Sequence, residues 1–486
     1  MSSPPPPEPD PARPLESSPA ELRELIDRAA ERVVEHVATL ADQPASYRGG
    51  AEEAAAAVTE PLPQSGAPYA EVLDLVFDRA LPTSFNNAGP GFLAFIPGGG
   101  LVESAVADLI GDAINRYPTV FVAAPGLYQL EANVVRWFCD LVGYPESAGG
   151  FLSSGGSQAN FSAVVAARHD RLPPDFLRGT LYASDQVHHS ITKAASLAGF
   201  PVENVRKVAS DDGFRLDPDA LREAIAADRR AGLQPFLLVA SAGTTNTGAI
   251  DPLPELAEIA RREELWLHVD AAYGGFFLLT ERGRRRLAGI DVADSVTLDP
   301  HKGLFLPYGT GCLLARDVAT LSRSHGLRAE YMPPPPDDPR RVDFCDVSPE
   351  LSRGFRGLRV WLPFKLRGAR AFTDQLDEKL DLALWAAEEL ARVEGIEVLA
   401  EPELSLVVFR RRVEGGLEER NRANRALLDA VNARQNVFIT GTLTPAGEFV
   451  LRICVLNFRT HLDRVERALS DIRECLDELA GQRPSA

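Results

Sequence analysis

The 486-residue chain has few cysteines (five) and methionines (two), and no apolar run approaching the ~18 residues that a membrane-spanning helix requires. Cys139, Cys312, Cys345, Cys454 and Cys475 are scattered without paired spacing. That pattern offers neither a zinc framework nor a disulfide scaffold, and it fits a reducing, cytoplasmic compartment. Positive charge is scarce as well. Lys and Arg number 51 against 69 Asp and Glu, a formal net charge of −18, which argues against nucleic acid as a partner. The one short basic run, Arg284 to Arg286, reads as a solvated helix face. The N-terminus, Met1-Ser2-Ser3 followed by four prolines, lacks the basic segment and apolar core of a signal peptide. These absences lead us to expect a soluble protein without membrane attachment.

What remains is ordinary globular composition, 45% apolar and 25% charged, in a chain too long for one hydrophobic core. Residues 1–17 are proline-rich and expected to be disordered. Ser18, Pro19 and Glu21 then form the start signal of a helix with a capping box. Leu22, Leu25, Ile26, Ala29, Val33, Val37 and Leu40 follow at helical spacing. Such a stripe needs a partner surface, on the chain's own large domain or on another subunit, so 18–100 reads as a helical, dimerisation segment. From 101 to 370, short apolar runs (Phe236 to Ala240, Leu265 to Val269, Gly311 to Ala315) alternate with helical stretches at 216–230 and 253–264. This alternation predicts an α/β domain with a mostly parallel sheet. Residues 371–486 read as a small α+β domain. It has a helix around 372–393, strands at Ser405 to Phe409 and Phe449 to Val455, and a terminal helix capped by Thr460 that buries Leu462, Val465, Leu469, Ile472, Leu476 and Leu479. The stretch 325–350, with Pro333 to Pro336, Asp337, Asp338 and Pro339, reads as a long functional loop.

The chemistry centres on Lys302 in Asp299-Pro300-His301-Lys302-Gly303, just after an expected buried strand Ser295 to Leu298. An amine at a strand end suits covalent capture of an aldehyde. If that aldehyde is pyridoxal 5'-phosphate (PLP), three further parts are needed, and each lies upstream. Ser153-Ser154-Gly155-Gly156-Ser157-Gln158 opens a helix and supplies backbone N–H groups for a phosphate. His188, in Ser184-Asp185-Gln186-Val187-His188, can cover the ring, and Asp270, closing His268-Val269-Asp270-Ala271-Ala272, can keep the ring nitrogen protonated. Gly243-Thr244-Thr245 adds hydroxyls. Two rivals stand beside this reading: an iron site of His268, Asp270 and His301, and a non-catalytic scaffold. The first leaves Lys302 and the Gly/Ser loop without a role, and the intact lysine weighs against the second.

These motifs resemble the group II PLP-dependent amino-acid decarboxylases, the aromatic-L-amino-acid, histidine and glutamate decarboxylases, from about residue 75 to the end. The resemblance implies an aspartate-aminotransferase-type (fold type I) large domain with an N-terminal helical segment and a small C-terminal domain. It also implies a homodimer with shared active sites and no metal. By position, Lys302 resembles the Schiff-base lysine, Asp270 the partner of the pyridine nitrogen and His188 the ring-stacking histidine. Gly156, Ser157, Thr245, Ala272 and His301 fall at cofactor-binding positions. Phe92, Phe95 and Pro97 resemble the segment that lines the substrate pocket from the neighbouring subunit; without the family they would read as core. Arg452 resembles the carboxylate-binding arginine of glutamate decarboxylases, and equally reads as a strand-edge surface residue. Gly98-Gly99-Gly100 would leave room or backbone donors.

The implied reaction is decarboxylation of an L-amino acid, aromatic by preference, to the amine and carbon dioxide. The family usually places a tyrosine in a mobile loop as proton donor. Aligning back from Phe355-Arg356-Gly357-Leu358 puts that position on Phe344, which has no proton to give. A phenylalanine there resembles the plant aldehyde synthases, which decarboxylate and oxidatively deaminate. Tyr331, earlier in the same stretch, can substitute if the loop folds differently. Glutamate or another small amino acid remains an alternative substrate.

Overall fold

A computed structural model describes residues 15–481, apart from Arg48, Asp337, Pro339 and Arg340. Most of the expected disordered tail, residues 1–14, therefore lies outside the described residues, as do those three positions of the 325–350 stretch. The chain divides into two compact units, Met1–Asn86 and Asn87–Ala486.

In the first unit the capping box forms as the sequence predicts. The Glu21 N–H donates to Ser18 Oγ at 3.3 Å, the Ser18 N–H donates to Glu21 Oε2 at 2.7 Å, and the helix runs Pro19–Thr39. Arg32 pairs with Asp74 at 2.8 Å and with Asp78. Leu22, Leu25, Ile26 and Val33 nevertheless remain exposed, and the helix has no buried residue.

The second unit is built on a seven-stranded sheet. Its strands are β1 (Gly149–Ser153), β2 (Gly179–Ser184), β3 (Val205–Val208), β4 (Gln234–Ser241), β5 (Trp266–Ala271), β6 (Ser295–Leu298) and β7 (Gly311–Ala315), in the order β1-β7-β6-β5-β4-β2-β3. Only β7 runs against its neighbours. β2, β5, β6 and the antiparallel β7 are buried at every position, as expected of a sheet covered on both faces. Helices Gly156–Arg171, Pro218–Arg230 and Leu253–Arg262 belong to the connections between them. The expected strand over 295–298 and helices near 216–230 and 253–264 are all present.

A smaller antiparallel sheet, β8 (Ile396–Val398), β9 (Leu406–Arg411), β10 (Thr440–Leu443) and β11 (Phe449–Cys454), is ordered β10-β11-β9-β8. Its core joins Val407, Phe409, Leu451 and Ile453 to Val465, Leu469 and Ile472 of the terminal helix Leu462–Gly481. Two details differ from expectation. Thr460 does not cap that helix: its hydroxyl donates to the Pro90 carbonyl at 2.7 Å, and its own carbonyl accepts from Lys379 Nζ at 2.5 Å. Leu462, in the first turn, is exposed rather than buried. Arg356–Ala391 is interrupted at Gly368, whose φ of 74° and ψ of 157° break the helix before the expected 372–393 stretch. Among the described residues no helix is long and apolar enough to cross a membrane.

Candidate active site

Strand ends converge on one cavity of about 350 Å³. It lies beyond the carboxyl ends of β1, β4, β5 and β6, where ligands of open α/β sheets bind. Ser154 to Gln158, Ser241, Thr244, Thr245, Asp270, Ala272, Asp299, His301, Lys302 and His188 all face it. Of the residues singled out in the sequence, the structure thus gathers Lys302, His188, Asp270, Gly156, Ser157, Thr245, Ala272 and His301.

Gly156 and Ser157 open the helix Gly156–Arg171, so their N–H groups are among those without an intrahelical acceptor. Gly156 has a steric reason to be glycine. A Cβ there would sit 3.0 Å from Asp299 Oδ2 and 3.2 Å from Ala272 Cβ. The helix N-terminus therefore comes against the base of the cavity, which suits a phosphate.

Lys302 Nζ lies 2.9 Å from Asp299 Oδ2. Burial opposes the charge, but Asp299 and Asp270 outweigh it and hold the ammonium above its ordinary value. Asp299 Oδ1 is buried with no hydrogen-bond partner, a polar atom left over for a further donor. Burial lowers His188 and His301, so both imidazoles are neutral near pH 7. His301 Nδ1 donates to the Thr310 carbonyl at 2.6 Å, and His188 Nδ1 meets Ser190 Oγ at 2.8 Å.

Asp270 ends β5 with both oxygens engaged. Oδ1 accepts from the Ala272 N–H at 3.2 Å, and Oδ2 accepts from Asn160 Nδ2 at 2.9 Å. Asn160, 1% exposed, is a site residue that sequence reasoning missed. Its one signal was position: four residues after Gly156, it shares that residue's helix face. Asp299, quoted in the lysine motif without a role, and Tyr308 at the cavity wall were missed as well.

The iron alternative finds no geometry. Both ring nitrogens of His268 are taken, Nδ1 by Ser295 Oγ at 2.8 Å and Nε2 by Asn160 Oδ1 at 3.1 Å, and burial lowers the ring to about 4. Among the described residues the grouped metal-capable side chains are Asp343, Cys345 and Asp346, and Arg328 already pairs with both carboxylates.

Other sequence candidates stand apart from the cavity. Phe92 is fully buried against Phe438, with ring centroids 5.7 Å apart, and Pro97 is buried. Phe95 is half-exposed at φ +52°, and its carbonyl accepts from Arg452 Nη2 at 2.9 Å. Arg452 Nη1 donates to Thr440 Oγ1 at 3.1 Å; the residue is buried, not a surface pair. Gly98 and Gly99 do not leave room. A Cβ on Gly98 would sit 2.2 Å from the His301 carbonyl oxygen, and one on Gly99 would sit 2.3 Å from Asn457 Oδ1.

Phe344 departs most from the mobile loop expected around it. It is 3% exposed at the start of a short helix, Phe344–Val347. Its N–H donates to the Thr119 carbonyl at 2.9 Å, its ring lies 5.0 Å from that of Tyr128, and the Arg353 guanidinium sits 4.6 Å above it. Tyr331, by contrast, is 78% exposed.

Residues 62–412 match the family model of the pyridoxal-dependent decarboxylase conserved domain. The chain belongs to the pyridoxal-dependent decarboxylase family. It is 33% identical to the aromatic-L-amino-acid decarboxylase of Bacillus atrophaeus over 97% of this chain and 98% of that one. It is 29% identical to the phenylacetaldehyde synthase of Arabidopsis thaliana over 85% of this chain and 88% of that one. The crystal structure of Oryza sativa TDC with PLP and tryptamine superposes with a TM-score of 0.90 at 27% identity, over 95% of this chain and 99% of that one. The fold is that of the fold type I PLP enzymes, and this decarboxylase is a PLP-dependent enzyme acting on an amino acid.

The residues fit that cofactor: a buried amine, an orphaned carboxylate oxygen beside it, a helix N-terminus packed too closely for a Cβ, and a carboxylate at a strand end.

Proposed function

We propose that the enzyme removes the α-carboxyl group of an aromatic L-amino acid and releases the amine and carbon dioxide. The observation that carries the amine product is the contrast between Phe344, sealed in the core, and Tyr331, exposed in the stretch before it. Phe344, buried beside Tyr128, lends no support to an aldehyde product. The glutamate alternative rested on Arg452, whose two terminal nitrogens are committed to Thr440 and Phe95. Aromatic substrates are supported by relatives named aromatic-L-amino-acid, tryptophan and tyrosine decarboxylases.

Bound PLP supplies an aldehyde for the substrate amine and a protonated ring that takes up the electron pair left as carbon dioxide departs. The chain's residues do the rest. Lys302 Nζ, held by Asp299, would carry the covalent attachment. The Asp270 carboxylate would keep the proton on the ring nitrogen, and His188 would cover the ring. Gly156, Ser157, Thr245, Ala272 and His301 would hold the phosphate and ring. Tyr331 delivers the proton to the α-carbon from a second copy of the chain, and the half-exposed Phe95 lines the substrate side across the same interface, backed by the buried Phe92 and Pro97. A homodimer is supported by the uncovered apolar face of the helix Pro19–Thr39 and by Tyr331 lying outside the lining of its own cavity. Five free, buried cysteines fit a cytoplasmic location.

The test is a panel of tryptophan, tyrosine, phenylalanine, DOPA and glutamate with PLP-loaded enzyme, following carbon dioxide, amine, aldehyde and peroxide together, with the native mass measured alongside. Amine equal to carbon dioxide from an aromatic substrate, and twice the chain mass, are expected. Aldehyde with matching peroxide, a preference for glutamate, or a monomer would overturn the corresponding part.

A further inference from the structure

A chain of buried polar groups runs under the cavity, and the carboxylate at one end fixes the direction of the hydrogen bonds that lead away from it. At one end the Trp266 indole, which can only donate, gives its Nε1–H to Ser295 Oγ at 2.8 Å. At the other end the Asp270 carboxylate, which can only accept, faces Asn160 at 2.9 Å. Asn160 must therefore turn its nitrogen to Asp270 and its oxygen the other way. That oxygen accepts from Thr297 Oγ1 at 2.8 Å and faces His268 Nε2 at 3.1 Å. Nε2 must then carry the proton of a neutral imidazole, so Nδ1 accepts from the Ser295 hydroxyl at 2.8 Å. Ser295 Oγ can accept from the Trp266 indole and donate to Nδ1 at once, so the indole end is consistent with this arrangement. Burial, which keeps His268 neutral, agrees with it.

Asn160 Nδ2 has a second proton, and it points to Ser190 Oγ at 2.9 Å. The Ser190 hydroxyl can then donate to His188 Nδ1, 2.8 Å away, which also receives the Ser190 N–H at 3.3 Å. With two donors on Nδ1, the ring proton of His188 sits on Nε2. One amide thus reaches both cavity groups, the carboxylate at a strand end and the imidazole at a helix start. Asn160, Ser190, Thr297, Ser295, His268 and Trp266 are all at most 2% exposed.

We propose that Asn160 is the positioning residue of the cofactor site: its amide aims the Asp270 carboxylate and, through Ser190, sets the tautomer of His188, while Thr297, His268, Ser295 and Trp266 hold the amide itself in place. The inference rests on Asp270 being the partner of the ring nitrogen. Without the amide, Asp270 loses a charge-assisted hydrogen bond in a buried site, and the carboxylate oxygen that faced Asn160 is no longer held in place.

Three variants test it by two readouts other than turnover: loss of PLP from the holoenzyme during dialysis, and the pH midpoint of the visible absorption of bound cofactor. Asn160→Ala should retain PLP about tenfold or more weakly, and the midpoint should move by about one pH unit. Thr297→Val, nearly isosteric, should move both in the same direction by less. In turnover, Asn160→Ala should lower kcat with little change in KM. A merely structural role would lower the melting temperature and leave the midpoint where it is. If Asn160→Ala does not fold, Thr297→Val decides, and an unchanged midpoint and PLP retention overturn the proposal. Asp270→Asn is the reference. If it moves both readouts while the Asn160 and Thr297 variants move neither, the positioning role fails alone. If Asp270→Asn moves neither, the assignment of Asp270 fails and takes this inference with it.

Discussion

Lys302 and Tyr331 are given complementary tasks in the proposed reaction, yet the fold treats them in opposite ways. Lys302 sits in the short helix Pro300–Gly303 just after β6, paired with a carboxylate that is 2% exposed and surrounded by residues from four strand ends. Tyr331 stands 78% exposed in a proline-rich stretch between the helices Val318–His325 and Phe344–Val347. Arg328 links its two ends. Arg328 meets Asp343 at 2.6 Å and Asp346 at 2.9 Å, and donates to the Pro333 carbonyl at 2.8 Å. The difference follows from the chemistry each must do. A covalent attachment needs one fixed geometry, whereas a proton donor that arrives after carbon dioxide leaves needs a hinge and an anchor.

Breaking the fixed side should have the largest effect. Lys302→Ala removes the attachment, so turnover should fall by at least about a thousandfold and the visible absorption of the holoenzyme should vanish. Retained turnover would remove the basis for every residue role assigned here. Next comes the exposed side. Tyr331→Phe removes the proposed proton donor, so amine formation should drop roughly a hundredfold or more, with aldehyde and peroxide rising in its place. Carbon dioxide, amine and peroxide measured together would check this. An unchanged amine yield would mean that another group delivers the proton.

The contrast also explains what could be read from the sequence. Buried strands of a parallel sheet appear as uninterrupted apolar runs, and their ends carry the motif residues, so β4 to β7, Asp270 and Lys302 were placed to within a residue or two. The stretch before Phe355 offered no such periodicity. Counting back from Phe355-Arg356-Gly357-Leu358 presumed that 344 still belonged to the loop, whereas the chain has already re-entered the core there, with the Tyr128 hydroxyl donating to the Val342 carbonyl at 2.9 Å. Asn160 was invisible for another reason. A single amide in a helix has no distinctive spacing, and its importance comes from β5 and β6 bringing His268, Asp270 and Thr297 to it. The helix Pro19–Thr39 shows the complementary limit: its stripe states that a partner surface is needed, but not which.

Phe344→Tyr tests the boundary between the two regions. If Phe344 belongs to the core, an added hydroxyl must fit beside Tyr128 and under Arg353. Thermal or urea unfolding should show a loss of about 1–3 kcal/mol, and the amine-to-aldehyde ratio should stay as it was. A shift in product ratio without loss of stability would return Phe344 to the chemistry.

The smallest effect should come from Arg328→Lys. The planar fork meets Asp346 through Nε and Asp343 through Nη2, and its other arm meets the Pro333 carbonyl, a geometry that a single ammonium cannot reproduce. The charge persists, so the variant should keep one of these contacts and lose the rest, at about 1–2 kcal/mol for the local anchorage. That corresponds to roughly tenfold faster chymotryptic cleavage after Tyr331, with little change in global unfolding, because only the local opening equilibrium moves. PLP retention should not change, since none of the three partners lines the cavity. Equal cleavage rates would mean that the stretch is held by something other than Arg328. A fall in PLP retention would mean that the two regions are coupled, and that the division between a fixed pocket and an anchored, exposed donor is drawn in the wrong place.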